Sequence, residues 1–207
     1  MSEEVENIGF YPERAYLEVA RSFFKAVAHD KENKESRELT LPPNVLWGLV
    51  ATSYAMSYAS IVAFLNSQFR RFWNDGTLKK KYPDATSYNS LLTDKSRLGS
   101  LREALKVFCD CNGKKRISEA NPPLWNELLQ VVEKNRHYVI HPKPLEEDTK
   151  AFFDATMKEK PWFFAPRVAA DVIGYFYEDL ESERNDWLRQ NQEFSFPVLK
   201  LHQDQNT

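Results

Sequence analysis

Cysteine is nearly absent from this chain: among 207 residues only Cys109 and Cys111 carry a thiol. Two positions apart, they point away from each other on a helix and suit neither a disulfide framework nor a zinc site. Glycine is scarce as well, 6 residues in all, and the chain has no Gly-rich nucleotide loop, no Walker sequence and no nucleophile elbow, which leaves few rival catalytic sites. Charge of either sign is not in excess. Lys+Arg 28 against Asp+Glu 30 leaves a net charge of −2, so there is no global basic field, and any contact with RNA must be local. The start, Met1-Ser-Glu-Glu-Val-Glu, lacks the basic residues and apolar run of a secretory signal, and the expectation is a cytoplasmic protein. No internal repeat is visible at solenoid periods.

What the chain does have is apolar and aromatic residues at helical spacing. The AVILMFWYC set makes up 42%, aromatics 14% and charged residues 28%, a balance that fits a soluble globular protein rather than a disordered one. The length predicts one domain spanning residues 1–207, with a core over about 12–190 and a tail over 191–207. Tyr16, Val19, Ala20, Phe23, Phe24 and Val27 predict a first helix from Pro12 to about His29, and the charged Asp30–Glu38 stretch after it reads as a solvated connection. Leu41-Pro42-Pro43-Asn44 opens the longest helix, running to about Trp73 before an Asp75-Gly76 stop. A further helix follows the Ser100-Leu-Arg-Glu103 capping signal and ends at Asn112-Gly113. Asn121-Pro122-Pro123 launches another. Leu145–Lys158 and Pro166 to about Leu188 read as the last two, and Phe194–Leu201 as a docked extended segment. The fold class expected is all-α, a bundle of about five or six helices.

The long helix raises the question of a membrane. No charged residue occurs between Val45 and Asn66, and about 20 apolar residues suffice to cross a bilayer. Thr52, Ser53, Ser57, Ser60 and two tyrosines within it, and the absence of a second such run, favour a helix buried in protein instead. Ala51, Ala55 and Ala59 would let a neighbour approach closely, and part of the surface is available for dimerisation. Arg70 and Arg71 near its end, with Lys79-Lys80-Lys81 after it in what reads as a loop, are the clearest basic concentration. They are candidates for RNA phosphate contacts, although cations complementing a helix C-terminus and solvated lysines are the stronger explanation. Lys114-Lys115-Arg116 reads as surface.

The most informative stretch runs from Trp125 to Pro144. At helical spacing Trp125, Leu129, Val132, Arg136 and Ile140 form one stripe, so Arg136 continues an apolar face. His141 follows five positions on, and Pro142 and Pro144 end the helix there, freeing His141 to turn toward Arg136. A fixed cation beside a titratable imidazole suits phosphate binding with proton transfer. Glu133, His137 and His141 are spaced four apart and suit a metal, yet Pro142 disturbs the last position and no further ligand stands out, so no metal or other cofactor is expected. The plain alternatives are a capping histidine at 141 and a structural ion pair at Arg136.

Arg136, the polar His137, three more residues and then His141 at a helix end, in an all-helical chain, resemble the Arg-x4–6-His motif of HEPN domains. That resemblance implies a small helical bundle, often dimeric, and frequently a metal-independent endoribonuclease of toxin–antitoxin, abortive-infection or CRISPR-linked defence systems. Arg136 and His141 would be the catalytic pair, with Asn135, His137 and Tyr138 supporting it and Arg70, Arg71 and Lys143 contacting RNA phosphates. In one branch of the family a tyrosine two residues beyond the motif histidine is modified by a partner transferase; here Lys143 stands at that position, so that regulation is not expected, while a separate antitoxin or other regulatory protein is compatible. Imidazole and guanidinium can cleave RNA through attack of the 2′-hydroxyl, and a homodimer with facing motifs would supply a second proton carrier. A non-catalytic module binding nucleic acid or protein is the alternative.

Overall fold

The computed structural model describes residues 12–20, 22, 43–140 and 165–177. Among the described residues 82% are helical and none is in a strand, so the fold is all-α. Residues 12–20 form α1. The long helix forms as one piece, α2, Pro43–Asn74. Short helices α3 (Thr77–Lys81) and α4 (Tyr88–Thr93) lead to α5 (Leu101–Asn112), then α6 (Ile117–Ala120) and α7 (Pro122–Glu127). A π-helical segment, Leu128–Glu133, carries α7 into α8, Lys134–Ile140, and Ala165–Tyr177 forms α9. The anticipated Leu145–Lys158 helix, the Phe194–Leu201 segment, the Asp30–Glu38 connection and the outer ends of the first and last helices lie outside the described residues.

Local chemistry sets most of these boundaries. Gly76 follows α2 with φ 85° and Gly113 follows α5 with φ 66°, a left-handed conformation in which a side chain is strained. The Ser100 hydroxyl accepts from Glu103 N at 3.3 Å to start α5, and the Asn121 side chain accepts from Leu124 N to start α7, whose first residues are prolines with no N–H to leave unpaired. The lysine run departs from expectation. Lys79, Lys80 and Lys81 lie on α3, not in a loop, because Asp75 Oδ1 takes the N–H of Thr77 at 2.9 Å and satisfies a donor at the helix start.

The core is organised on α2, which packs against α3, α5, α8 and α9. Phe64 of α2, Phe108 of α5 and Phe176 of α9 meet, with ring centroids 5.5 Å apart for Phe64–Phe108 and 4.6 Å for Phe108–Phe176; both pairs are edge-to-face, an arrangement favoured by ring quadrupoles. Leu65, Phe69, Phe72, Leu105, Leu128, Val132 and Ile173 are buried around them. Ser53, Ser57 and Ser60 are the fully buried small residues of α2, whereas Ala51, Ala55 and Ala59 are half-buried. The serine face is thus the more deeply buried one, and Ala51 packs against the edge of the core. Ser60 satisfies its hydroxyl on Ser57 O at 2.7 Å. Among the described residues no helix is long and apolar enough to cross a membrane.

At the other end, Lys114 donates to Tyr175 O at 3.2 Å and the Tyr175 hydroxyl donates to Lys115 O at 2.8 Å, tying the loop after α5 to α9. Lys114 and the Lys115 carbonyl thus help hold the bundle together, while Lys115 and Arg116 are exposed.

Candidate functional site

The two stretches that meet in the candidate site are the middle of α2 and the junction from the π-helical segment into α8. Along the latter the fully buried side chains are Leu128 and Val132, followed by Asn135 at 8% exposure, while Trp125, Leu129 and Arg136 are half-buried. The inward stripe therefore runs Leu124, Leu128, Val132, Asn135, and the expectation that Arg136 continues it is corrected by one residue. The doublets Leu128-Leu129 and Val131-Val132 make two neighbouring stripes equally apolar, and only packing on α2 and α9 selects between them. Lys134 N–H reaches back to Leu129 O, five residues earlier, the wider turn that marks π-helix.

Two tyrosines one turn apart on α2 receive consecutive residues of α8. Asn135 Nδ2 donates to the Tyr54 hydroxyl at 3.1 Å, both groups being buried. The Arg136 guanidinium carbon lies 4.0 Å from the centroid of the Tyr58 ring, a contact through the ring face in which the quadrupole attracts the cation. Burial pushes the Tyr58 phenol above its ordinary pKa; Arg136 opposes that shift and Glu133 adds to it, so the phenol stays neutral and both charges lie within electrostatic reach of it. Glu133 Oε2 accepts from Nε of Arg102 on α5 at 2.8 Å.

A guanidinium held over a ring face can keep N–H groups for a further partner, and two such N–H groups match two oxygens of a phosphate. Among the described residues Arg136 has no carboxylate within ion-pair distance. His137 is exposed on α8. Tyr138 lies on α8 with its side chain outside the described residues, as are His141 and Lys143 altogether. The Glu133, His137, His141 strip is therefore seen only in its first two members, and among the described residues no group of three or more His, Cys, Asp or Glu is placed to hold a metal.

Arg70 and Arg71 are not brought to this place. Both are exposed, and they follow Tyr58 by 12 and 13 residues on one unbroken helix, roughly 18 Å along its axis at about 1.5 Å per residue. Arg71 lies 5.5 Å from the Phe72 ring, and Lys79 lies 5.0 Å from the Trp73 ring. The residues that sequence reasoning passed over are Tyr54, Tyr58 and Arg102. A signal existed for the tyrosines: two phenols spaced one turn apart inside an uncharged buried run need polar partners. No family model matches the chain, and comparisons with curated proteins and with solved structures likewise return no match.

Proposed function

We propose that the chain is a HEPN-like, metal-independent endoribonuclease in which Arg136 clamps the scissile phosphate and His141 moves the proton. The observation that carries the reading is the state of Arg136: a half-buried guanidinium held on the Tyr58 ring, with no carboxylate partner among the described residues. Among the described residues, a cation so placed lacks the ion pair that would make it merely structural. It also stands five residues before the histidine of the resembling motif.

The chemistry follows from the two groups. Neutral imidazole takes the proton of the ribose 2′-hydroxyl, the 2′-oxygen attacks the adjacent phosphorus, and the bond to the 5′-oxygen breaks as that oxygen gains a proton. The products are a 2′,3′-cyclic phosphate and a 5′-hydroxyl. Arg136 stabilises the negative charge that grows on the phosphoryl oxygens. A homodimer with facing motifs supplies the second proton carrier, and the reading places the protein among toxin or antiviral-defence components, held in check by an antitoxin or other regulatory protein.

The test is purified protein incubated with tRNA and mRNA, with and without EDTA. Cleavage should survive chelation, leave cyclic phosphate ends, and fall about 10²- to 10³-fold in Arg136→Ala and about 10²- to 10⁴-fold in His141→Ala. Wild type that binds RNA without cutting it identifies a binding module instead, and cleavage that persists in purified His141→Ala overturns the mechanism.

A further inference from the structure

Glu133 precedes Arg136 by three residues on one helical run, a spacing at which carboxylate and guanidinium readily pair. The carboxylate is turned elsewhere. Its Oε2 is held by Nε of Arg102, from a different helix, at 2.8 Å, and Arg136 lies against the Tyr58 ring at 4.0 Å. Glu133 nonetheless stays near enough to act on the Tyr58 phenol, so it remains within range of the same place. Were Arg102 absent, the nearest cation one turn along would be Arg136.

We infer that Tyr58 and Arg102 are positioning residues that keep Arg136 open to an anion, Tyr58 by holding the guanidinium over its ring and Arg102 by holding away the carboxylate one turn before it. The anion is a phosphate of an RNA strand, and in this the inference rests on the function proposed above. Neither residue needs to touch the RNA. Tyr58 acts through its ring, so its hydroxyl is dispensable; Arg102 acts through Glu133, so its loss is repaired by neutralising that carboxylate.

The experiment measures the affinity of a 2′-O-methylated RNA oligonucleotide, which has no free 2′-hydroxyl to attack, by fluorescence anisotropy at low salt. Tyr58→Phe should match wild type, while Tyr58→Leu should weaken binding about 2- to 30-fold, the range of a cation–π contact from exposed to desolvated. Arg102→Ala should weaken it about 1.4- to 2.3-fold, the scale of a helical ion pair, and Arg102→Ala/Glu133→Gln should restore it, whereas Glu133→Gln alone should change little. In an Arg136→Ala background none of these substitutions should lower affinity further. A loss in Tyr58→Phe, an unrepaired loss in the Arg102→Ala/Glu133→Gln protein, or a further loss on top of Arg136→Ala overturns the assignment. A second readout is independent of RNA: the Arg136 Nε–H resonance should be shifted by the Tyr58 ring, kept so in Tyr58→Phe and released in Tyr58→Leu. Wild type that ignores RNA while showing that shift refutes the ribonuclease reading and the RNA phosphate as the anion, but not the hold of Tyr58 on Arg136; a resonance indifferent to Tyr58→Leu refutes the positioning role, whatever the RNA result.

Discussion

Tyr54→Phe removes one oxygen from a side chain with no solvent exposure, the oxygen that accepts from Asn135 at 3.1 Å. The ring stays, so little packing is lost and no cavity of consequence forms. Asn135 keeps its amide at 8% exposure, where water can replace the lost acceptor only poorly. An unpaired buried donor of this kind costs about 1–3 kcal/mol. For a chain of this size each kcal/mol lowers the melting midpoint by about 2–4 °C, so the midpoint should fall by roughly 2–12 °C. Thermal unfolding followed by far-ultraviolet circular dichroism measures it. Removing the other partner too, in Tyr54→Phe/Asn135→Leu, should recover part of the loss, because the Asn135 amide is then no longer stranded. The same single change should weaken RNA binding, since Asn135 anchors the turn that delivers Arg136 to Tyr58. A midpoint that does not move in Tyr54→Phe, or a double variant less stable than the sum of the single changes, would refute the claim that this hydrogen bond fixes α8 on α2.

Two further predictions concern the scaffold. At Gly99 an added Cβ would lie 2.8 Å from Asp94 C and 2.9 Å from Asp94 O, backbone atoms that cannot step aside, so Gly99→Ala should lower the urea midpoint by a stability change of about 1–3 kcal/mol at unchanged slope; an unchanged midpoint would show that the loop has room. The Asp84 carboxyl is held below its ordinary pKa, chiefly by the hydrogen bond from Arg97, and that of Asp94 chiefly by Ser96 with Arg97 contributing. Depressed in the folded state, these groups confer stability that is complete above the ordinary carboxylate pKa of about 4 and is lost as pH falls through their folded values. Arg97→Ala should flatten that acid limb in urea titrations run across pH, and an unaltered limb would show that the cluster is neutralised by solvent alone.

Much of the architecture was legible because its causes are local. The single long helix from Pro43, the left-handed glycines at 76 and 113, and the caps at Ser100 and Asn121 each depend on a few neighbouring residues, and such signals are written in sequence. Arg136 was singled out on the same grounds. Its surroundings were not legible. The apolar doublets before it leave the phase of the helix open, and the phase is settled by which stripe fits against α2 and α9. His141 and Lys143 belong to the sequence reading alone.

By itself, then, the sequence determined an all-helical chain, its main helix ends, and a cation five residues before a histidine that a proline follows. Only the tertiary structure decided that Asn135 rather than Arg136 turns inward, that Arg136 rests on the ring of Tyr58, and that Arg102 takes Glu133. The physical reason is range: helix periodicity and capping act over three or four residues, whereas these contacts join residues 81 apart for Asn135 and Tyr54 and 31 apart for Arg102 and Glu133, and no local propensity specifies which distant side chain will lie opposite.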